Sequence, residues 1–295
     1  MGAETVVHDI SRALLEGCHI ATYSYIKPGS VHRLRIDSSA PHMMSSCIGI
    51  TEYIIKAIEL GKRVRRGELA ATGLNLGKLF GKALREAYRW TSYNPYPDVI
   101  VPTITNALIL SYVEPDSIVR ESGDLKKALS LFIGGTRWSD VKEFMNALNS
   151  IGRSKMSDHL RNSGLTYSQA LVEEVSLDEA FRILGSRWPG FLASSYRETI
   201  LFDLVKKAMD YYKKYRDGNN TAIALYLDII GNRFPGWAKE MINKAFEEGL
   251  MASKEGSKIL FQLDLKLRKQ GYCYDEYVPL LIAVLQLAIY EGMRI

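Results

Sequence analysis

The sequence predicts an all-α protein, on three observations. Apolar residues recur at helical spacing, two capping-box signatures mark helix starts, and no run alternates with the period of two that a strand requires. Residues Val6, Ile10, Ala13, Leu14, Gly17, Cys18, Ala21 and Tyr25 share one face of a helix over 4–26, which Pro28 and Gly29 end. Met43, Cys47, Ile50, Ile54, Ile55 and Ile58 predict a second helix over 43–60, and Leu76, Leu79, Phe80, Ala83, Leu84 and Ala87 a third. After the rigid Asn94-Pro95-Tyr96-Pro97 loop, the run Val99–Val113 reads as a buried helix with Pro102 near its first turn.

Ser176 with Glu179 and Ser195 with Glu198 are the two capping boxes, each followed by apolar residues at helical spacing. Asp217-Gly218-Asn219-Asn220 is the clearest turn, and further stripes cover 221–230, 236–249, 257–270 and 278–293. About ten helices with short links, no Gly/Ser linker and no fixed-period repeat predict one compact all-helical domain over residues 1–295.

Composition narrows the function classes. Hydrophobic residues at 47% and charged residues at 24% exclude wholesale disorder and a membrane-embedded bundle. The excess of 38 Lys and Arg over 33 Asp and Glu leaves +5, which suits a polyanionic small molecule better than a nucleic acid. The cluster Lys62, Arg63, Arg65, Arg66 fits a solvated helix end. No signal peptide or membrane span is readable, so the expectation is a cytoplasmic protein without a membrane partner, with self-association left open. Cys18, Cys47 and Cys273 are far apart and odd in number, which argues against a disulfide framework or zinc ribbon and for small buried hydrophobes. The five histidines suggest no metal set.

Three segments carry chemistry. In Lys27-Pro28-Gly29-Ser30-Val31-His32-Arg33-Leu34-Arg35-Ile36-Asp37, a Pro-Gly turn offers backbone N–H groups while Lys27, Arg33 and Arg35 add cations, ingredients for gripping phosphate. The same residues fit a solvated turn. In Ala71-Thr72-Gly73-Leu74-Asn75-Leu76-Gly77-Lys78, a Gly-containing turn opens a helix, whose free amides and dipole attract an anion, although the P-loop spacing is absent. This turn equally fits the start of a core helix. In Asp228-Ile229-Ile230-Gly231-Asn232-Arg233, Asp228 suits a divalent ion or a hydroxyl and Arg233 a phosphate, or the two pair with each other.

Taken in order, these segments resemble the triphosphoribosyl-dephospho-CoA synthase family, particularly its divergent archaeal-type branch. The family's Pro-Lys-Pro-Gly-x-Val-(Asp/His)-Arg motif is matched by Ile26-Lys27-Pro28-Gly29-Ser30-Val31-His32-Arg33 except at its first position. Its Asn-Thr-x-Leu-Gly loop keeps Asn75, Leu76 and Gly77, and its Asp…Arg helix end keeps Asp228 and Arg233. The family's Asn-Pro-Gly turn has become Tyr272-Cys273-Tyr274-Asp275-Glu276, and its acidic Gly-Ala-His-x-Asp-Met segment has become Ser39-Ala40-Pro41-His42-Met43-Met44.

The resemblance implies an all-helical, ATP-using transferase that moves the triphosphoribosyl group to a hydroxyl of dephospho-CoA or a similar acceptor and releases adenine, with Mg²⁺ accompanying ATP. Breaking the ribose–adenine bond builds oxocarbenium character while the triphosphate stays fixed, a task for lysines, arginines and a carboxylate. Carried onto this chain, the binding residues are Lys27, Gly29, Arg33, Asn75, Gly77, Lys78 and Arg233. Asp228 is then the catalytic and metal-binding carboxylate. Both glycine turns are expected to converge on one cleft. A catalytically inactive homologue with an anion pocket is the alternative, and a helical nucleic-acid binder a further one.

Overall fold

The computed structural model describes residues 3–35, 39–166 and 175–294. Ile36 and Asp37, at the end of the first chemistry-bearing segment, lie outside the described residues. Fourteen α-helices and no strand are found among the described residues, so the all-α expectation holds with more helices than the ten expected. They are α1 (Ala3–Tyr23), α2 (Ser39–Ile48), α3 (Thr51–Arg65), α4 (Leu76–Trp90), α5 (Pro97–Val113), α6 (Ser122–Leu129) and α7 (Trp138–Ser150). There follow α8 (Ser154–Asn162), α9 (Leu177–Gly185), α10 (Ile200–Tyr215), α11 (Gly218–Ile230), α12 (Gly236–Glu247), α13 (Lys254–Lys269) and α14 (Val278–Tyr290).

The two most apolar helices, α5 and α14, form the centre. Nearly every side chain of α5 and residues 278–289 of α14 are buried, as a helix hydrophobic all round requires. Helix α1 crosses α14 closely because Gly17 has no side chain: a Cβ there would sit 2.5 Å from Gln286 backbone. Gln286 then donates to Leu14 O at 3.2 Å and Thr103 Oγ1 at 2.8 Å, and accepts from Asn106 Nδ2 at 3.0 Å, so one buried amide ties α1, α5 and α14. A second part of the core is aromatic, where Phe80, Phe144, Phe181 and Phe191 meet in edge-to-face and stacked pairs. No helix among the described residues is long and apolar enough to cross a membrane.

Several local expectations need correction. The predicted helix 43–60 is two helices, because the chain breaks at Gly49 and Ile50, where Gly49 packs against Trp90. Pro102 stands inside α5 rather than in its first turn, since α5 already begins at Pro97. Its missing N–H frees the Asp98 carbonyl, and Gly190 packs there, its absent Cβ position only 2.4 Å from that oxygen. Ser176 does precede α9, but without a side-chain cap bond. Ser195 caps no α-helix: its hydroxyl donates to the buried Asp178 at 2.7 Å, and α10 starts later, at Ile200.

The cysteine expectation holds for the burial of Cys18 and Cys47 but not for their pairing or for Cys273. Cys18 of α1 and Cys47 of α2 form a disulfide with their Cα atoms 6.7 Å apart, while Cys273 is free and exposed. Linear spacing conceals this pairing because packing of α1 on α2 brings the two together. The cluster Lys62–Arg66 is the solvated helix end expected, with Arg63 and Arg66 on Glu68 and Arg65 on Glu114.

Candidate functional site

The segment between α1 and α2 is a tight turn set into the protein. Ser30 N donates to Lys27 O at 3.0 Å, with Pro28 and Gly29 at the corner and Gly29 at φ 75°, the arrangement of a type II turn. Glycine is required twice over, because a Cβ would also lie 2.9 Å from the Tyr274 ring. Arg33 N donates to Ser24 O at 3.1 Å and closes the loop onto the end of α1.

Four residues from three distant segments hold this turn. Asp264 of α13 accepts the Gly29 amide at 2.9 Å, Tyr274 N donates to the Gly29 carbonyl at 2.9 Å, and the buried Tyr226 hydroxyl of α11 donates to the Pro28 carbonyl at 2.7 Å. Asp275 accepts from Ser30 Oγ at 3.0 Å and Arg35 Nη1 at 3.3 Å on one oxygen, and from Ser39 Oγ at 3.2 Å on the other. The Gly29 amide, expected to meet phosphate, is therefore already bonded to a carboxylate.

Charge at the turn is arranged in two layers. Inside, Lys27 is 0% exposed, and its ammonium donates to Ser24 Oγ at 2.8 Å and Thr22 O at 3.4 Å. Burial pulls its pKa down to about 7 against the counter-pull of Asp275, so it is no solvent-facing phosphate ligand. Asp264 is buried too, with His32 Nε2 at 3.4 Å and Arg268 bonded to the same oxygen. Burial opposes its charge, but hydrogen bonds from His32, Arg268 and Gly29 outweigh burial and hold the carboxyl below its ordinary range.

Outside, Arg33 stacks over Tyr25 at 4.9 Å and Arg233 over Tyr277 at 5.0 Å, both exposed to solvent. Tyr274 joins Arg233 to the turn, bonding Gly29 through its amide and the Arg233 carbonyl through its hydroxyl at 3.2 Å. Burial pushes the Tyr274 phenol up to about 12. Burial and neighbouring Asp275 raise the Glu276 carboxyl, with Arg233 pulling the other way.

Lys27, Gly29, Arg33 and Arg233 thus belong to one network. The second turn is built separately. Asn75 takes a left-handed conformation at the start of α4, and Gly77 N donates to Asp140 Oδ1 at 2.9 Å. Gly77 presses so close to α7 that a Cβ would lie 2.1 Å from the Asp140 carbonyl oxygen. Asn75 and Lys78 are exposed. No hydrogen bond or ion pair among the described residues joins residues 73–78 to the Pro28–Gly29 network.

Asp228 faces α10, where its Oδ2 accepts from Lys207 at 2.9 Å and Tyr211 Oη at 2.8 Å. Its α11 neighbour Tyr226 points to the turn instead. Among the described residues no group of three His, Cys, Asp or Glu side chains is placed to hold a metal ion. A carboxylate oxygen already bonded to an ammonium and a phenol, outside any group of three such side chains among the described residues, does not fit a resident Mg²⁺.

Compared with family models, curated proteins and solved structures, the chain matches none. The geometry therefore carries the functional reading. Sequence reasoning had not singled out Tyr226, Asp264 or Arg268, and had read Asp275 only as part of an altered motif. Asp264 leaves a signal: it sits within the buried stripe Ile259, Leu260, Leu263 and Leu267, where an acid needs a partner.

Proposed function

We propose that this chain is an ATP-dependent transferase of the triphosphoribosyl type, with the nucleotide's phosphates on the arginine rim around the Pro28–Gly29 turn. The observation that carries the reading is convergence. Segments near residues 27–35, 226–233, 264–268 and 274–277 meet at one turn and bring a depressed lysine, a lowered aspartate and a raised glutamate with them.

The roles follow from position. Arg33 and Arg233, held over tyrosine rings at the solvent face, suit bidentate contact with phosphate oxygens. Glu276 beside Arg233 has a raised carboxyl, which makes it a stronger base than an ordinary exposed glutamate for the proton of an acceptor hydroxyl. Lys27, Asp264 and Asp275 keep the turn rigid beneath the rim and touch no substrate in this scheme. An acceptor such as dephospho-CoA supplies the hydroxyl, and adenine leaves as its bond to ribose C1′ breaks. Mg²⁺ enters only as the companion of ATP, and no step is assigned to a protein-held ion.

A second reading, an inactive homologue that binds nucleotide without turnover, is favoured by one observation. The Gly29 and Gly77 amides, both candidates for phosphate, are bonded to Asp264 and Asp140. Incubation with ATP, Mg²⁺ and dephospho-CoA, followed by chromatographic measurement of adenine, separates the two. Acceptor-dependent adenine release supports the transferase, and ATP binding without adenine under any hydroxyl acceptor supports the inactive homologue.

A further inference from the structure

The Cys18–Cys47 disulfide closes a ring of chain, with its cysteines 29 positions apart, that contains the whole Pro28–Gly29 turn together with Arg33, Arg35 and Ser39. On the α1 side, Thr22 Oγ1 donates to the Cys18 carbonyl at 2.7 Å and the Thr22 carbonyl accepts from Lys27 Nζ. Two hydrogen bonds therefore connect the first cysteine to the turn. On the α2 side, Ser39 opens the helix that carries Cys47 and donates to Asp275. The ring has one covalent closure at its base and carboxylate anchors at its tip.

We propose that the Cys18–Cys47 pair is a redox-sensitive strap on this turn. Oxidised, it holds α1 to α2 and shortens the stretch of chain that Asp264 and Asp275 must order. Reduced, it leaves α2 attached by packing alone at that point, and the ring regains conformational freedom. The effect on the backbone of the turn stands by itself, whereas any effect on nucleotide affinity rests on the function proposed above.

The chemistry is thiol–disulfide exchange with a low-molecular-weight thiol of the glutathione class. One thiolate attacks a sulfur of the bridge, the S–S bond breaks, and the released cysteine thiolate takes up a proton. A second thiolate attacks the mixed disulfide and frees the other cysteine. In sum two glutathione thiols become one disulfide while the protein gains two thiols, a transfer of two electrons and two protons. Both cysteines are 0% exposed, so attack requires α1 and α2 to part locally, which couples the exchange to opening of the region that the bridge controls.

Hydrogen exchange on the full chain tests this, comparing the oxidised protein with protein reduced by glutathione and verified by its gain of two hydrogens in mass. The amides of Gly29, Ser30 and Arg33 should exchange about tenfold faster or more after reduction. The Gly77 amide, bonded to Asp140 at the α4–α7 seam, should be unchanged. A Cys18→Ala/Cys47→Ala double variant should reproduce the reduced pattern, and if it fails to fold the reduced native chain still decides. Unchanged exchange at Gly29, equal acceleration at Gly29 and Gly77, or a bridge that glutathione does not open each overturns the strap. Faster exchange at the turn in a protein that binds no ATP in either state supports the strap and counts against the nucleotide site.

Discussion

Asp264 Oδ1 accepts the backbone N–H of Gly29 at 2.9 Å across 235 residues of sequence, and its other oxygen meets Arg268 and His32. This carboxylate joins α13 to the turn after α1 and occupies the amide that a Pro-Gly motif otherwise offers to an anion.

Replacing it tests how much the turn depends on it. Asp264→Asn keeps the shape but removes the charge that neutralises half-exposed Arg268, and should cost about 2 to 4 kcal/mol in urea denaturation at pH 7. The folded carboxyl titrates below its unfolded value, so its contribution is present above the ordinary carboxylate range and is lost as pH falls through the folded value. The wild type should therefore keep this contribution at about pH 5, above the unfolded aspartate pKa. A loss well below 1 kcal/mol on substitution contradicts the assigned role (roughly the size of one ordinary hydrogen bond).

Lys27 makes a prediction of the same sign at higher pH, because its folded pKa is also depressed. Its folded pKa, about 7, lies below the unfolded value of 10.5, so the unfolded chain binds the extra proton between those limits and stability from this group rises with pH there. Between pH 7 and 9 the gain amounts to roughly 2 to 3 kcal/mol. Lys27→Met, of similar volume, should lose that rise, so its stability relative to wild type falls from pH 6.5 to pH 9. Parallel urea midpoints for the two proteins across this window would mean that the amine is solvated.

Gly77→Ala examines the second turn. The new methyl meets the Asp140 carbonyl at 2.1 Å and pushes α4 from α7, which should cost about 1 to 3 kcal/mol in thermal or urea unfolding. A neutral substitution would show the contact to be loose.

How far the fold was readable in the sequence depended on which force fixed each element. The stripes of α1, α4, α12 and α13 are legible because burial of one face imposes their period, and α11 and α14 because they are apolar nearly all round. Gly49 and Ile50 sit within a continuous apolar pattern, so the break between α2 and α3 is set by the fit of Gly49 against Trp90, a tertiary contact. Ser195 and Glu198 satisfy a local capping rule, yet Asp178 outcompetes it for the hydroxyl. At the site, Pro28-Gly29 announced a turn, but its holders come from far along the chain. Asp228 illustrates the converse: its motif suggested a ligand, and Lys207 with Tyr211 supplies an ordinary partner set one helix away.

The measurement closest to the central claim is calorimetric titration of ATP into the wild type and into Arg33→Met, Arg233→Met and, as a remote control, Lys127→Met on α6. If the phosphates lie on the arginine rim, each rim substitution removes a charge-assisted contact and weakens binding by roughly 1.5 to 3 kcal/mol, about tenfold or more, while the control leaves affinity unchanged. A wild type that binds no ATP, or rim variants that bind it as tightly as the wild type, contradicts the assignment of this turn as a nucleotide site.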